Sequence, residues 1–225
     1  MTTLRLAHRG DWRVAPENSL AAMEAALKGP LCDGLEFDVR SSFDNVPVLL
    51  HDESLARVQR VPLTCSTLTA EQLADHGVPT LGQVLAVADC EFFLDVELKE
   101  PVSAALDALE LERGRVEDDG RAVVRNAAVS SFGAPILAWL SVQRPAWVRW
   151  LNAYDLLPST IELATSLGCS AISAEWHAID AEAIARASAA GLEVAAWTVR
   201  ESDDYRRLEA LGVIAICVEA AALDG

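Results

Sequence analysis

Short apolar runs alternate with longer stretches of helical period along nearly all of the 225 residues, and this alternation predicts an α/β fold with a parallel sheet. Eight such runs in a chain of this length predict closure into a (β/α)8 TIM-type barrel, with a small hairpin and a loop-rich insertion after the second strand. A doubly wound open sheet is the competing arrangement, but no Gly-x-Gly-x-x-Gly turn follows the first apolar run. With 52% hydrophobic and 23% charged residues the chain has the composition of an ordinary globular core, which excludes a disordered tail, a collagen-like fibre and a coiled coil. No repeat, low-complexity tract or linker interrupts it, so residues 1–225 are expected to form a single domain, with the insertion at about 40–80.

Strands are predicted at Leu4–His8, Leu35–Val39, Phe92–Leu98 and Ala127–Ser131, then at Val148–Asn152, Ala171–Ala174, Val194–Thr198 and Ile214–Val218. Each is a short apolar run, long enough for a strand and too short for a helix. Amphipathic helices are predicted between most of them, near Ser19–Leu27, Leu81–Ala88, Val102–Glu112, Pro158–Leu167, Ala181–Ala190 and Ser202–Leu211. Asn18 or Ser19 supplies the N-cap of the first helix. The connection Arg40–Asn45 is too short for a crossover helix, and Asp44-Asn45 between two extended runs reads as a hairpin turn. With those two as the turn residues, Asp38 falls opposite His51. From Glu53 to Pro79 the pattern is weak, with one turn of helix near Ala70–Ala74.

The formal net charge is −16. A surface this acidic repels phosphate backbones and anionic headgroups, so nucleic acid and membrane surfaces are poor partners. Any anionic substrate must meet a local positive field. The five cysteines, Cys32, Cys65, Cys90, Cys169 and Cys217, show no Cys-x-x-Cys spacing and read as free thiols in a reducing compartment. There is no basic stretch followed by an apolar leader and no apolar run of about 20 residues, so no membrane span and a cytoplasmic location are expected.

Chemistry concentrates on two strands. Glu36 and Asp38 are two apart and share one strand face, while Leu35, Phe37 and Val39 share the other. Asp95, Glu97 and Lys99 repeat the pattern. Inward-facing carboxylates repel one another unless protons or cations neutralise them. Glu36, Asp38 and Glu97 suit one hard divalent cation, Mg²⁺ or Ca²⁺, and the competing arrangement is a salt-bridge network with Arg9, Arg40 or Lys99. His8 and His51 at strand ends form a candidate acid/base pair, whereas His76 and His177 lie in polar segments without acidic partners and receive no role. Arg9 and Lys99 supply the local positive charge for a phosphate. Phe132 and Trp197 close strand ends, where they pack in the core or line a substrate slot.

Ala7-His8-Arg9-Gly10, Pro16-Glu17-Asn18-Ser19, Glu36-Phe37-Asp38-Val39, Val48-Leu49-Leu50-His51-Asp52, Pro79-Thr80-Leu81, Glu97-Leu98-Lys99, Ser130-Ser131-Phe132 and Trp197-Thr198-Val199 together resemble the pattern of glycerophosphodiester phosphodiesterases. That resemblance implies a TIM-type barrel that hydrolyses glycerophosphodiesters to glycerol 3-phosphate and an alcohol with a divalent metal. It implies that Glu36, Asp38 and Glu97 hold the metal, that His8 and His51 exchange protons, and that Arg9 and Lys99 contact phosphate. The chain departs from the family pattern at Gly212–Glu219, which lacks an Asp-Gly turn and ends in Glu where the family has Asp. It departs again at Arg57–Arg60, in a shorter stretch after His51. A lysophospholipase D or sphingomyelinase D type of phosphodiesterase, and a barrel that binds a phosphodiester without cleaving it, remain the alternative readings.

Overall fold

The computed structural model describes residues 2–225. In chain order the strands are β1 (Leu4–His8), β2 (Gly34–Ser41), β3 (Pro47–Leu49), β4 (Phe93–Leu98), β5 (Gly114–Val116) and β6 (Ala122–Val124). They continue as β7 (Ala127–Ser131), β8 (Arg149–Ala153), β9 (Ala171–Glu175), β10 (Glu193–Val199) and β11 (Ala215–Val218). The helices are α1 (Leu20–Leu27), α2 (Ala70–Ala74), α3 (Leu81–Val87), α4 (Ser103–Arg113), α5 (Ala134–Gln143), α6 (Pro158–Ser166), α7 (Ala181–Ala189) and α8 (Ser202–Leu211).

Eight strands run parallel in the ring β1-β2-β4-β7-β8-β9-β10-β11. The ring closes where Leu4–Ala7 of β1 pair with Ala215–Val218 of β11. This is the closed (β/α)8 barrel the sequence predicts. Strands covered on both faces are largely apolar, and β2 and β4 depart from this by alternating inward carboxylates with outward apolar residues. Outward side chains such as Leu35, Phe37 and Val39 enter the shell between strands and helices. The lower interior is filled by Leu6, Phe93 and Trp150 against the small Ala128, Ala171, Ala195 and Ala215. Phe93 and Trp150 stack with ring centroids 5.5 Å apart. That plug closes the barrel below, so polar inward residues can open only toward the C-terminal strand ends.

Three features differ from the sequence reading. The β2–β3 loop has three residues, Phe43 to Asn45, with Ser42 N–H bonding Val46 O at 3.0 Å and Asn45 left-handed at φ 61°. Val39 therefore pairs with Leu49, and Asp38 lies beside Leu50 rather than opposite His51, a slip of one residue. Helix α5 has no predicted counterpart, because Ala-Pro-Ile-Leu-Ala-Trp-Leu is apolar all round and shows no amphipathic period. Its first-turn Pro135 was the available signal. The β5–β6 hairpin is likewise unpredicted, lying on the outside with Gly114, Arg115 and Val116 exposed. Elsewhere the bounds move by a residue or two, as at Phe93, Arg149 and Ala215.

The insertion keeps its loop-rich character and the short helix Ala70–Ala74. It carries its own small core of Val48, Leu50, Leu55, Cys65, Leu73 and Val78. All five cysteines are free. No described helix is long and apolar enough to cross a membrane. Truncating the buried Trp150 to alanine is expected to remove about 3–5 kcal/mol of stability in urea unfolding, while Leu111→Ser at a position 82% exposed should stay within about 0.5 kcal/mol.

Candidate active site

Parallel pairing of β2 with β4 sets Glu36 beside Asp95 and Asp38 beside Glu97. All four carboxylates are buried. Glu36, Asp38 and Glu97 each offer an oxygen within 4.8 Å of the other two. Their cationic neighbours are two. Arg9 Nε lies 2.9 Å from Asp38 Oδ2, and Lys99 Nζ lies 2.8 Å from Asp38 Oδ1 and also pairs with Glu97. The salt-bridge network and the acidic cluster thus coexist, and two of the four negative charges lack a partner. Among the described residues nothing donates a hydrogen bond to Glu36 Oε2. A surplus of two charges and a bare buried oxygen in an all-carboxylate donor set fit a hard divalent cation.

The electrostatics divide the four acids. Burial pushes the Asp38 carboxyl up, but Arg9 and Lys99 outweigh burial and hold it well below the usual range. Burial and the Asp38 charge push Glu36 well above the ordinary value. The same two causes raise Glu97 to about 7, and burial raises Asp95 to about 7. Burial would lower the Lys99 ammonium, yet Asp38 and Glu97 override it and keep it charged.

The chain reaches this geometry through local constraints. His8 ends β1, after which Arg9 and Gly10 both take positive φ, at 59° and 83°. A Cβ on Gly10 would lie 2.5 Å from the Ala22 carbonyl carbon, so glycine is required where the turn meets α1. Ser19 caps α1, accepting the Ala22 N–H at 3.2 Å. Asn18 instead turns inward and donates from Nδ2 to Asp38 Oδ2 at 2.7 Å, a supporting role that capping chemistry concealed.

Each imidazole has a carboxylate at Nδ1. His8 Nδ1 is 2.5 Å from Glu219 Oε1, and its Nε2 faces Glu36 Oε2 at 3.7 Å. His51 Nδ1 is 2.6 Å from Asp52 Oδ1. Arg57 donates to Asp52 and Glu17, and Glu17 accepts from Arg9, so the insertion is tied to the acidic cluster. Arg40 contacts no carboxylate of the cluster but donates to the His51 carbonyl at 3.0 Å. Burial lowers the His51 imidazolium in spite of Asp38 and Asp52. His177 does have an acidic partner at a strand end, Glu175 at 2.7 Å, contrary to the sequence reading.

A cleft of about 230 Å³ opens at the C-terminal strand ends. His8, His51, Glu36 and Glu97 form one wall, and Phe132, Tyr154 and Trp197 the other. The three rings meet pairwise at 5.4–5.7 Å, Trp197 Nε1 donates to Ser173 O at 2.9 Å, and Phe132 sits 6.0 Å from Lys99 Nζ. Tyr154 went unassigned in the sequence because a single tyrosine after a strand carries no pattern. The structure gathers every predicted site residue at one rim, and adds Asp95, Asn18, Tyr154, Glu219 and the Asp52–Arg57 pair.

The family model described as "Glycerophosphoryl diester phosphodiesterase family" matches residues 8–223. The chain is 27% identical to bovine glycerophosphodiester phosphodiesterase 1 over 248 residues, covering 88% of this chain and 72% of that one. It is 29% identical to a probable glycerophosphodiester phosphodiesterase 1 of Mycobacterium tuberculosis, covering 92% and 86%. A 31% match to the glycerophosphodiester phosphodiesterase of Caldanaerobacter subterraneus spans 45% of this chain and about half (47%) of that relative. Among solved structures, an Oleispira antarctica phosphodiesterase in complex with the product sn-glycerol-3-phosphate superposes with a TM-score of 0.81 at 23% identity, covering 96% and 93%. A glycerophosphodiester phosphodiesterase of Agrobacterium tumefaciens gives 0.82 at 22%, covering 99% and 98%. At these identities the structural likeness is one of fold.

Raised carboxyls give a sign to the pH dependence of stability. With Glu97 at about 7, the folded state binds more protons than the unfolded state from the ordinary glutamate range up to about pH 7. The protein without a bound cation therefore loses this contribution as pH rises through 7, and a divalent cation held by these carboxylates would restore it. Thermal scans with and without Mg²⁺ or Ca²⁺ should show a larger rise in Tm at pH 8 than at pH 5.5; equal rises would place the ion elsewhere.

Proposed function

Since the chain belongs to the glycerophosphoryl diester phosphodiesterase family, a family of phosphoric diester hydrolases, we propose that it hydrolyses glycerophosphodiesters to sn-glycerol 3-phosphate and an alcohol. One observation carries this reading: two imidazoles, Arg9, Glu36 and Glu97 line one cleft, with Asp38 and Lys99 joined to them by ion pairs and the shared acidic cluster. The product named for the Oleispira phosphodiesterase supports the same substrate class.

Glu36, Asp38 and Glu97 would hold one divalent cation, Mg²⁺ or Ca²⁺, which when bound polarises a non-bridging phosphate oxygen and offsets charge developing on phosphorus. Arg9 and Lys99, fixed by their ion pairs to Asp38, present positive charge to the remaining phosphate oxygens. They supply the local field that a net charge of −16 demands. His8 and His51 each keep Nε2 free once Nδ1 binds a carboxylate. One imidazole accepts a proton from the nucleophile, the adjacent glycerol hydroxyl or a water, and the other returns one to the leaving alkoxide. Phe132 and Trp197, with Tyr154 beside them, face the organic part of the ester. A barrel that only binds phosphodiesters would have no use for two proton-transfer groups. Lysophospholipid cleavage would call on the aromatic wall to receive an acyl chain.

Glu36→Ala should abolish release of glycerol 3-phosphate from glycerophosphocholine while circular dichroism stays unchanged, because a buried carboxylate pushed well above its ordinary value costs stability rather than supplying it. EDTA should silence the wild type, and full activity after chelation would defeat the metal assignment. His8→Ala and His51→Ala should each lower the rate by at least ~10²-fold. Faster choline release from lysophosphatidylcholine than from glycerophosphocholine would favour the lysophospholipase D reading.

A further inference from the structure

We propose that Glu219, braced by Arg200, is a positioning residue that selects the tautomer and orientation of His8. The inference rests on the proposed role of His8 in proton transfer. A carboxylate accepts and cannot donate, so the 2.5 Å contact with Glu219 Oε1 fixes the ring proton on Nδ1 and leaves the Nε2 lone pair facing the cleft. The competing partner is close: Glu36 Oε2 lies 3.7 Å from Nε2 and accepts nothing else. Without Glu219 no acceptor holds the ring proton on Nδ1, and the Nε2–H tautomer, with its proton aimed at the acidic cluster, takes the lone pair away from the cleft.

Glu219 is held on every side. It is 7% exposed, and Arg200 Nε donates to its second oxygen, Oε2, at 2.8 Å. Its own N–H bonds Val199 O at 2.9 Å, and Ala222 N–H bonds Arg200 O at 2.9 Å, clamping the β10 and β11 ends together. The next residue, Ala220, stands at φ 51°, a left-handed conformation alanine adopts only under constraint. Arg13 reaches it from the β1–α1 loop, donating to Ala220 O at 3.1 Å while paired with Asp224. Burial would push the Glu219 carboxyl up, but His8 and Arg200 keep it ionised. The arrangement repeats that of His51–Asp52–Arg57, so each of these two imidazoles has its own carboxylate and its own arginine. It occupies the position where the chain carries Glu in place of the Asp of the family pattern.

The test begins with ¹⁵N NMR of the wild-type imidazoles at alkaline pH, which is expected to show His8 as the Nδ1–H tautomer. Glu219→Gln should shift His8 toward Nε2–H, lower kcat by ~10²-fold or more and leave KM within about threefold. Glu219→Asp should recover kcat to within about tenfold of wild type, and Arg200→Gln should cost less than Glu219→Gln because Arg200 is mostly exposed. Calorimetric affinity for Mg²⁺ or Ca²⁺ should be unchanged in Glu219→Gln, separating this role from the acidic cluster. An Nε2–H tautomer in the wild type, or a Glu219→Gln enzyme within twofold of wild-type kcat, overturns the proposal. The tautomer readout needs neither turnover nor a folded variant, so it decides the role of Glu219 even if glycerophosphodiesters prove not to be substrates.

Discussion

Four carboxylates buried on two adjacent parallel strands, against two cations, are the constraint around which the rest of the molecule is arranged. In the low-dielectric interior such a group is unfavourable unless each charge is paired, protonated or bound to a metal. Asp38 receives nearly all of the protein's own compensation: Arg9, Lys99 and the amide of Asn18. Glu36, Asp95 and Glu97 receive less, and their raised carboxyls reflect that. The asymmetry favours the ionised form of Asp38 and the protonated forms of the other three. The outer core of strands and helices, with its long apolar cluster, carries the stability that makes such a cost tolerable.

Around that centre the fold separates tasks by layer. Leu6, Phe93, Trp150 and the inward alanines close the floor, so water and substrate reach the acids only from the mouth. The loops at the mouth then differ by side. The end of β1 and the segments after β3 and β11 deliver His8, His51 and their carboxylate partners, while the loops after β7 and β8, with Trp197 on β10, deliver the aromatic residues. A cleft of about 230 Å³ lined by both charged and aromatic side chains offers one ionic and one apolar surface to whatever enters it. The insertion contributes through Arg57, which joins Asp52 to Glu17 and so couples the loop packing to the position of His51.

Much of this was legible from local pattern. The i, i+2 spacing of Glu36 with Asp38, and of Asp95 with Glu97, requires a shared strand face whatever the fold, and the alternating periods require a parallel sheet. The hairpin register was not legible, because choosing between a two- and a three-residue loop depends on the left-handed Asn45. A one-residue slip then moved His51 from the expected pairing, although it still reaches the site through the turn that follows. Helix α5 escaped because an all-round apolar segment has no period to detect. Asn18 was hidden because the same residue type serves equally as a cap and as a carboxylate partner.

The sequence by itself determined the fold class, the two acidic strand faces and the candidates for proton transfer and phosphate contact, since these follow from short-range spacing and residue chemistry. Only the tertiary structure decided that residues 8 and 219, 211 positions apart, share a hydrogen bond. It alone decided that Tyr154 joins Phe132 and Trp197, and that Arg9 and Lys99 converge on one oxygen pair of Asp38. The physical reason is closure: pairing β11 with β1 brings the two ends of the chain side by side, and no local pattern encodes which loops then face one another across the mouth.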